Sequence, residues 1–484
     1  MGEEPLPEGG GHRPWVITIN GKFPGPLINT TTNNFVHVNV FNNMEEPLLF
    51  TWNGIQQRLN SWQDGVSGAD CPILPSKNWT RVFQTKDQIG SFFYFPSINF
   101  HKAAGGFGPI RVYNCIVIVV PFPKPEAEFD LLFGDWIFDS YSVSALKIYS
   151  WSLILEDKQM AFQAIPDIIL MNEKGPYGHP LSKSYESFSV TKDQNEVDYY
   201  IAATPKLLNN TGSRNLDGVA VLQYSNSITN VSGPLTAGPD PFNFEFSVNQ
   251  AKSISRWNMT VGAARLNPQG TFNVTNVTLS QIFILQNSLA EIQGHPRYVV
   301  NNVSYLTPNT PLKLADYLKN GSQVYNLDQF PVKSVNDNAS YGISIVTGNH
   351  KGWIELVFKN HLDVMDSWHF DGFGFYVVGF GNGEWIEESR KTRNFLDPVV
   401  RSTVQVYLGG WSAVYAFLNN PGMWNLRSQN LKNWYLGQEL YLRVHDDEPN
   451  PAKERPPPQN LLRCVMIDDP HSPPPTGPPS QVVG

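Results

Sequence analysis

His369 sits in the run Asp366-Ser367-Trp368-His369-Phe370-Asp371-Gly372. An imidazole with carboxylates close on both sides is a ligand set for one transition-metal ion, since both groups donate to such metals. The same histidine, with Ser428 and Asp366, supplies the residue types of a hydrolytic triad. A histidine satisfied by hydrogen bonds is the plainer reading. Trp368, Trp411, Trp424 and Trp434 are candidates for stacking on sugar rings, against core packing, because sandwich cores often use tryptophan. Gly379-Phe380-Gly381-Asn382-Gly383 is glycine-rich, yet no helix follows to present a phosphate site, so a nucleotide-binding reading fails.

Strands must position these residues. Val36, Val38 and Val40 alternate with His37, Asn39 and Phe41. Val404, Val406 and Leu408 alternate with Thr403, Gln405 and Tyr407, and Leu440, Leu442 and Val444 with Tyr441, Arg443 and His445. A period of two places one face on a core and the other on solvent. Amphipathic helices are scarce. Short strands broken by Gly, Pro and Asn turns indicate an all-β chain of sandwiches.

The chain of 484 residues is long enough for two to four domains. Its 41% apolar and 13% aromatic content can fill sizeable cores. A net charge of −8 disfavours nucleic acid, whose phosphates demand a cationic surface. The longest aliphatic run, Ile116-Val117-Ile118-Val119-Val120, is strand-sized, so no transmembrane segment is expected.

Asn-x-Ser/Thr sequences stand at Asn29, Asn78, Asn209, Asn230, Asn258, Asn273, Asn276, Asn302, Asn320 and Asn338. Their number favours a secreted glycoprotein. The acidic Met1-Gly2-Glu3-Glu4 has no apolar segment behind it, so no signal peptide is present and a shortened N-terminus is expected.

Pro121-Phe122-Pro123-Lys124-Pro125 is a rigid linker and marks a boundary. A second boundary is expected between Gln250 and Pro296. From Pro449 the tail is proline-rich, and is expected to be disordered or extended apart from a tether at Cys464. Three cysteines are too few for a disulfide scaffold.

Several segments carry a family resemblance. In the first part of the chain they are Ile19-Asn20-Gly21-Lys22-Phe23-Pro24-Gly25-Pro26, Asn60-Ser61-Trp62-Gln63-Asp64-Gly65, Cys71-Pro72-Ile73 and His101 through Gly108. In the last part they are Pro311 through Asp316, Trp368 through Gly372, Pro421-Gly422-Met423-Trp424 and Asn425-Leu426-Arg427-Ser428. On these the chain resembles plant members of the multicopper oxidase superfamily, within them the SKU5-similar branch that includes pollen-specific L-ascorbate oxidase homologues. The resemblance covers nearly the whole chain. It implies three cupredoxin-like Greek-key β-sandwich domains, at 1–125, 126–290 and 291–448, before a tail at 449–484.

Two departures stand out. The family's first strand is missing from the N-terminus. The middle domain is shortened near 191–193, where a stretch of several strands normally intervenes. A middle sandwich lacking strands is expected to be incomplete, with open edges. The motif position of Cys71, and Cys464 just past the last strand, imply a disulfide that leaves Cys115 over; three reduced thiols are the alternative.

Copper in this family is held by histidines and one cysteine. Carried over position by position, the first histidine pair falls on Thr51 and Asn53 and the second on Phe95 and Ser97. The third motif falls on Asp366, His369 and Asp371. The last puts Arg427, Gln429 and Asn433 on histidine positions, Ser428 on the cysteine and Gln438 on the axial ligand. His369 alone survives. A serine hydroxyl is neither soft nor readily deprotonated, and a guanidinium stays protonated and repels a metal cation. His101 is close to these positions in sequence but is not one of them.

The expectation is therefore a copper-free, non-catalytic glycoprotein of the plant cell surface or wall. It would act in cell-wall or pollen-tube growth by binding wall polysaccharide or a surface protein. No cofactor is expected; copper enters by family resemblance only, with His369 a weak metal candidate. The alternatives are a residual copper-dependent oxidoreductase resembling L-ascorbate oxidase and a truncated, non-functional gene product. Thr51, Asn53, Phe95, Ser97, His369, Asp371, Arg427 and Gln429 are expected to converge between the first and third domains, with Arg427 paired to Asp371.

Overall fold

The computed structural model describes residues 2–5, 15–115, 126–136, 168–172, 174, 186–190, 198–203, 218–225, 227, 243–253, 273–319, 321, 323–327, 329–334, 338–445 and 454–464. Strand Phe35–Phe41 turns Val36, Val38 and Val40 toward the first core and leaves His37, Asn39 and Phe41 outside. It pairs antiparallel with Asn78–Gln84, whose Trp79, Arg81 and Phe83 are buried. The facing sheet runs in the order Ile28–Thr31, Gly108–Tyr113, Gly90–Pro96, Phe50–Asn53. Ile17, Phe50, Trp52, Phe83, Tyr94 and Ile110 fill the space between them. Burying each such side chain contributes about 1.5–3 kcal/mol relative to exposure. At the N-terminus Gly2–Pro5 pairs antiparallel with Trp15–Thr18.

The third domain packs an eight-stranded sheet on a five-stranded one. The larger sheet contributes Phe283, Leu285, Ile354, Leu356 and Phe358 to the core, and the smaller Trp368, Phe370, Leu426, Leu440 and Leu442. Strand Leu279–Ile292 belongs wholly to the larger sheet, through parallel pairing with Trp353–Asn360. The break before this domain therefore lies ahead of Leu279, not at 290/291.

Two of the alternating strands bury a tyrosine on the face expected to meet solvent. In Glu439–His445, Leu440, Leu442 and Val444 enter the core, but Tyr441 is also buried. Its hydroxyl accepts from the Gly68 N–H of the first domain at 2.9 Å. Past Thr403–Val406, Tyr407 rather than Leu408 is the buried residue. Its ring packs on Phe244 of helix Phe244–Ser253 at 5.3 Å, and its hydroxyl donates to the Ser247 carbonyl at 2.8 Å. In both cases another layer covers the second face at the tyrosine.

In the middle region Phe133–Trp136 pairs with Ile168–Met171. Glu186–Val190 runs parallel to Gly218–Tyr224, which pairs on its other side with Tyr199–Ala203. The expected shortening near 191–193 and the linker 121–125 lie outside the described residues.

The described part of the tail, 454–464, is more ordered than its composition implies. Residues 454–464 lie as a strap on the first domain. Arg455 N–H donates to the Leu59 carbonyl at 2.7 Å. The indole N–H of Trp62 donates to the Arg455 carbonyl at 3.2 Å, and that of Trp79 to the Asn460 carbonyl at 2.6 Å. Cys464 is disulfide-bonded to Cys71, with Cα atoms 5.7 Å apart, and Cys115 is free. Trp62, Cys71 and Leu314 pack under Leu461, Leu462 and Cys464. Backbone groups of the strap find partners on buried tryptophans, so it is fixed well beyond the expected single tether.

Candidate functional site

Two strands set the geometry. Asp366–Phe370 and Gly422–Ser428 pair antiparallel, with Trp368 opposite Ser428, His369 opposite Arg427 and Phe370 opposite Leu426. Opposed residues share a face and successive ones alternate. Asp366 and Ser428 therefore share one face, and His369 and Arg427 the other. The polar side chains of these strands form two webs, back to back.

The first web centres on Asp366. Its Oδ1 accepts from Ser428 Oγ at 2.7 Å and from the Ser367 N–H at 2.8 Å. Its Oδ2 accepts from Asn287 Nδ2 at 2.8 Å and from Gln438 Nε2. Burial pushes the Asp366 carboxyl up, and these hydrogen bonds pull it back. Asn433 Nδ2 and Gln438 Oε1 are buried at the margin without a hydrogen-bond partner.

The second web lies between the domains. Asp371 takes the Arg427 guanidinium on Oδ2 and His369 Nε2 on Oδ1, the latter at 2.9 Å. Arg427 Nη1 also donates to Asn425 Oδ1 at 2.9 Å, and Nη2 to Asn53 Oδ1 of the first domain at 3.3 Å. Gln429 Nε2 reaches the same Asn53 oxygen at 3.2 Å. The guanidinium lies 4.6 Å from the Trp434 ring centroid, a cation–π contact. Burial opposes ionisation of Asp371, but the Arg427 charge and the His369 hydrogen bond outweigh it and hold the carboxyl below its ordinary range. His369 is fully buried, and burial lowers its pKa. The neutral ring then donates from Nε2 to Asp371 and accepts at Nδ1 from Thr403 Oγ1, 2.8 Å away.

The remaining first-domain positions are less directly joined. Phe95 stands opposite Thr51 in its sheet and packs with Met423, Trp434 and Tyr441 of the third domain. Thr51 is buried and its hydroxyl has no hydrogen-bond partner. Ser97 departs from the expected convergence: its hydroxyl donates to the Gly65 carbonyl inside the first domain.

Other readings of these residues fail on geometry. Ser428 and His369 lie on opposite faces, so no triad forms. Asp366 cannot share a metal with His369 for the same reason. Trp368, Trp411, Trp424 and Trp434 are buried and offer no sugar-stacking surface. His101 is buried against Glu46, 2.8 Å away.

Four residues of the site were not singled out from sequence. Asn425 Nδ2 donates to Glu439 Oε2 at 2.6 Å, and burial raises Glu439 to about 7. Burial raises Asp64 well above the carboxylate range, and the charge of Asp371 adds to it. Lys102 Nζ lies 4.1 Å from the Phe95 ring centroid, and burial lowers it to about 8. The available signal was position: Asp64 and Glu439 are charged residues inside or beside the family segments.

The donor set does not fit a four-copper centre. Both nitrogens of the His369 imidazole are engaged, the Ser428 hydroxyl is bonded to Asp366, and the Arg427 guanidinium fills the interdomain web. Among the described residues, no group of three His, Cys, Asp or Glu side chains could hold a metal ion. Of the glycosylation sequences, Asn29, Asn78, Asn273, Asn276 and Asn338 are exposed and Asn302 is half-buried. Asn209, Asn230, Asn258 and Asn320 lie outside the described residues.

Multicopper oxidase family models match residues 3–115 and 309–450. The chain is 41% identical to monocopper oxidase-like protein SKU5 of Arabidopsis thaliana, over 93% of this chain and 86% of the relative. It is 36% identical to an L-ascorbate oxidase homolog of Brassica napus, over 93% and 89%. Its fold is similar to that of Fet3p, a multicopper oxidase that functions in iron import, with a TM-score of 0.68 at 14% identity over 92% of this chain and 89% of that one. A laccase from Botrytis aclada gives 0.64 at 18% identity, over 90% and 84%. The all-β cupredoxin-like architecture is thus shared with copper enzymes whose sequences differ widely. The chain belongs to the multicopper oxidase family, in its branch of plant monocopper oxidase-like and L-ascorbate oxidase homologue proteins.

Proposed function

We propose that this protein is a copper-free, non-catalytic member of its family that acts by binding. Its place is extracellular, at the cell wall or plasma-membrane surface, and its partner is wall polysaccharide or a surface protein in wall or pollen-tube growth. The carrying observation is Arg427: a buried guanidinium bonded to Asp371, Asn425 and Asn53 at the interdomain position. A fixed cation there opposes a second cation. The exposed glycosylation sequences support a secreted protein, and among the described residues no helix is long and apolar enough to cross a membrane.

Metal analysis and a visible absorption spectrum of purified, secreted protein test this reading, together with oxidation assays on ascorbate and phenols. The expected result is copper far below one per chain, no blue band and no oxidation. Stoichiometric copper with oxidation would establish a residual oxidoreductase. Protein recovered only as aggregate would favour a damaged gene product.

A further inference from the structure

Residues 454–464 form no helix or strand, and Pro456-Pro457-Pro458 among them have no N–H to give. Such a segment offers a partner its carbonyls and its side chains. The first domain meets it with donors and rings. Trp62 Nε1 donates to the Arg455 carbonyl before the prolines at 3.2 Å, and Trp79 Nε1 donates to the Asn460 carbonyl after them at 2.6 Å. The Arg455 guanidinium lies 5.1 Å from the ring centroid of Phe35, which is half exposed. Helix Leu312–Lys319 adds Tyr317, edge-on to Trp62 at 5.6 Å between centroids, and Lys313, which pairs with Glu454. Aromatic rings and indole donors spaced along an extended chain are a means of reading proline-rich segments, because such a chain is already close to its bound shape.

We propose that this surface is a groove for proline-rich peptide, that residues 454–464 are its resident occupant, and that an extended proline-rich segment of another protein takes their place once the Cys71–Cys464 bond is opened. This names a partner for the binding reading above and rests on it. A dithiol opens the bond: the two cysteine sulfurs gain two electrons and two protons and become thiols, while the dithiol loses both and closes to its own disulfide. The strap is then held by its hydrogen bonds and packing alone, and a competing segment can take the same two indole donors. The segment that fits carries a basic residue before its prolines, for the Phe35 ring, and an apolar pair after them, for the places of Leu461 and Leu462.

A labelled synthetic peptide of residues 454–463 is the probe, read by fluorescence anisotropy with full-length protein. A tethered strap competes at an effective concentration of about millimolar, so the peptide is titrated through that range. It should bind Cys464→Ser, and wild type treated with dithiothreitol, about tenfold or more tightly than untreated wild type. The same peptide with Pro456→Ala, Pro457→Ala and Pro458→Ala should bind about tenfold more weakly, having lost three fixed φ angles. Trp79→Phe in the Cys464→Ser background keeps a ring and removes the N–H, and should weaken binding about three- to tenfold. Phe35→Ser, at an exposed position, should weaken it about two- to fivefold. Equal binding to untreated wild type and Cys464→Ser places the peptide elsewhere and overturns the groove, as does undiminished binding of the alanine peptide. No binding to copper-free Cys464→Ser overturns the groove and leaves the binding reading standing. Stoichiometric copper with oxidation overturns that reading itself.

Discussion

Ser428 Oγ donates to Asp366 Oδ1 at 2.7 Å, so the paired strands Gly422–Ser428 and Asp366–Phe370 are joined by buried side chains as well as by their backbones. Asp366 accepts three further hydrogen bonds, from Ser367, Asn287 and Gln438. Asp366→Ala strands these buried donors. It should cost about 2–4 kcal/mol, because each unsatisfied buried group costs about 1–3 kcal/mol and relaxation recovers part. Denaturant unfolding checks this; a loss below about 1 kcal/mol would show that the web is not holding the strands.

Arg427→His tests whether the interdomain position can revert. The imidazole is too short to reproduce contacts to Asp371, Asn425 and Asn53 together, and the buried Asp371 loses its fixed cation. Breaking a buried pair on one side costs about 3–5 kcal/mol. The variant should unfold at lower denaturant and still contain no stoichiometric copper by elemental analysis.

Glu439 gives a pH signature. Burial raises it from 4.5 to about 7. Between those values the native protein holds a proton that the unfolded chain has released, so its contribution to stability is full below about 4.5 and is lost as pH rises through about 7. The shift corresponds to about 3 kcal/mol. Glu439→Gln removes the titration and can still accept from Asn425. The difference in unfolding free energy between the variant and wild type should therefore grow in the variant's favour from pH 4.5 to 7. A difference independent of pH would place Glu439 outside the buried web.

Cys464→Ser releases the end of the strap. A disulfide of this kind contributes about 2–4 kcal/mol. The variant should be less stable by that order and should be cleaved within 454–464 under limited proteolysis, with fragments identified by mass. Wild-type resistance there depends on the bonds from Trp62 and Trp79, which release of Cys464 weakens but does not remove.

The sequence carried the architecture because sandwiches write a period of two into their strands, as Val36, Val38 and Val40 do. It carried the pairing of Arg427 with Asp371 because family segments on both sides keep their spacing. It carried less where a residue's surroundings come from elsewhere in the chain. Tyr407 and Tyr441 read as outward-facing until the helix Phe244–Ser253 and the first domain cover them. Asp64, Lys102 and Glu439 read as framework, since burial between domains is invisible in local pattern. The strap read as unstructured because proline-rich composition reports its lack of a core, not the indole donors waiting on the first domain.

Cys71 and Cys464 are 393 positions apart, and the strap between Arg455 and Cys464 covers Trp62 and Trp79. Synthesis delivers N-terminal domains first. The first domain therefore emerges with two indole donors and a thiol uncovered, and stays so until the strap, 393 positions after Cys71 at its disulfide, has been made. What finishes it is a segment made after the third domain, so translation, rather than the first domain's own collapse, sets when this half of the molecule is complete.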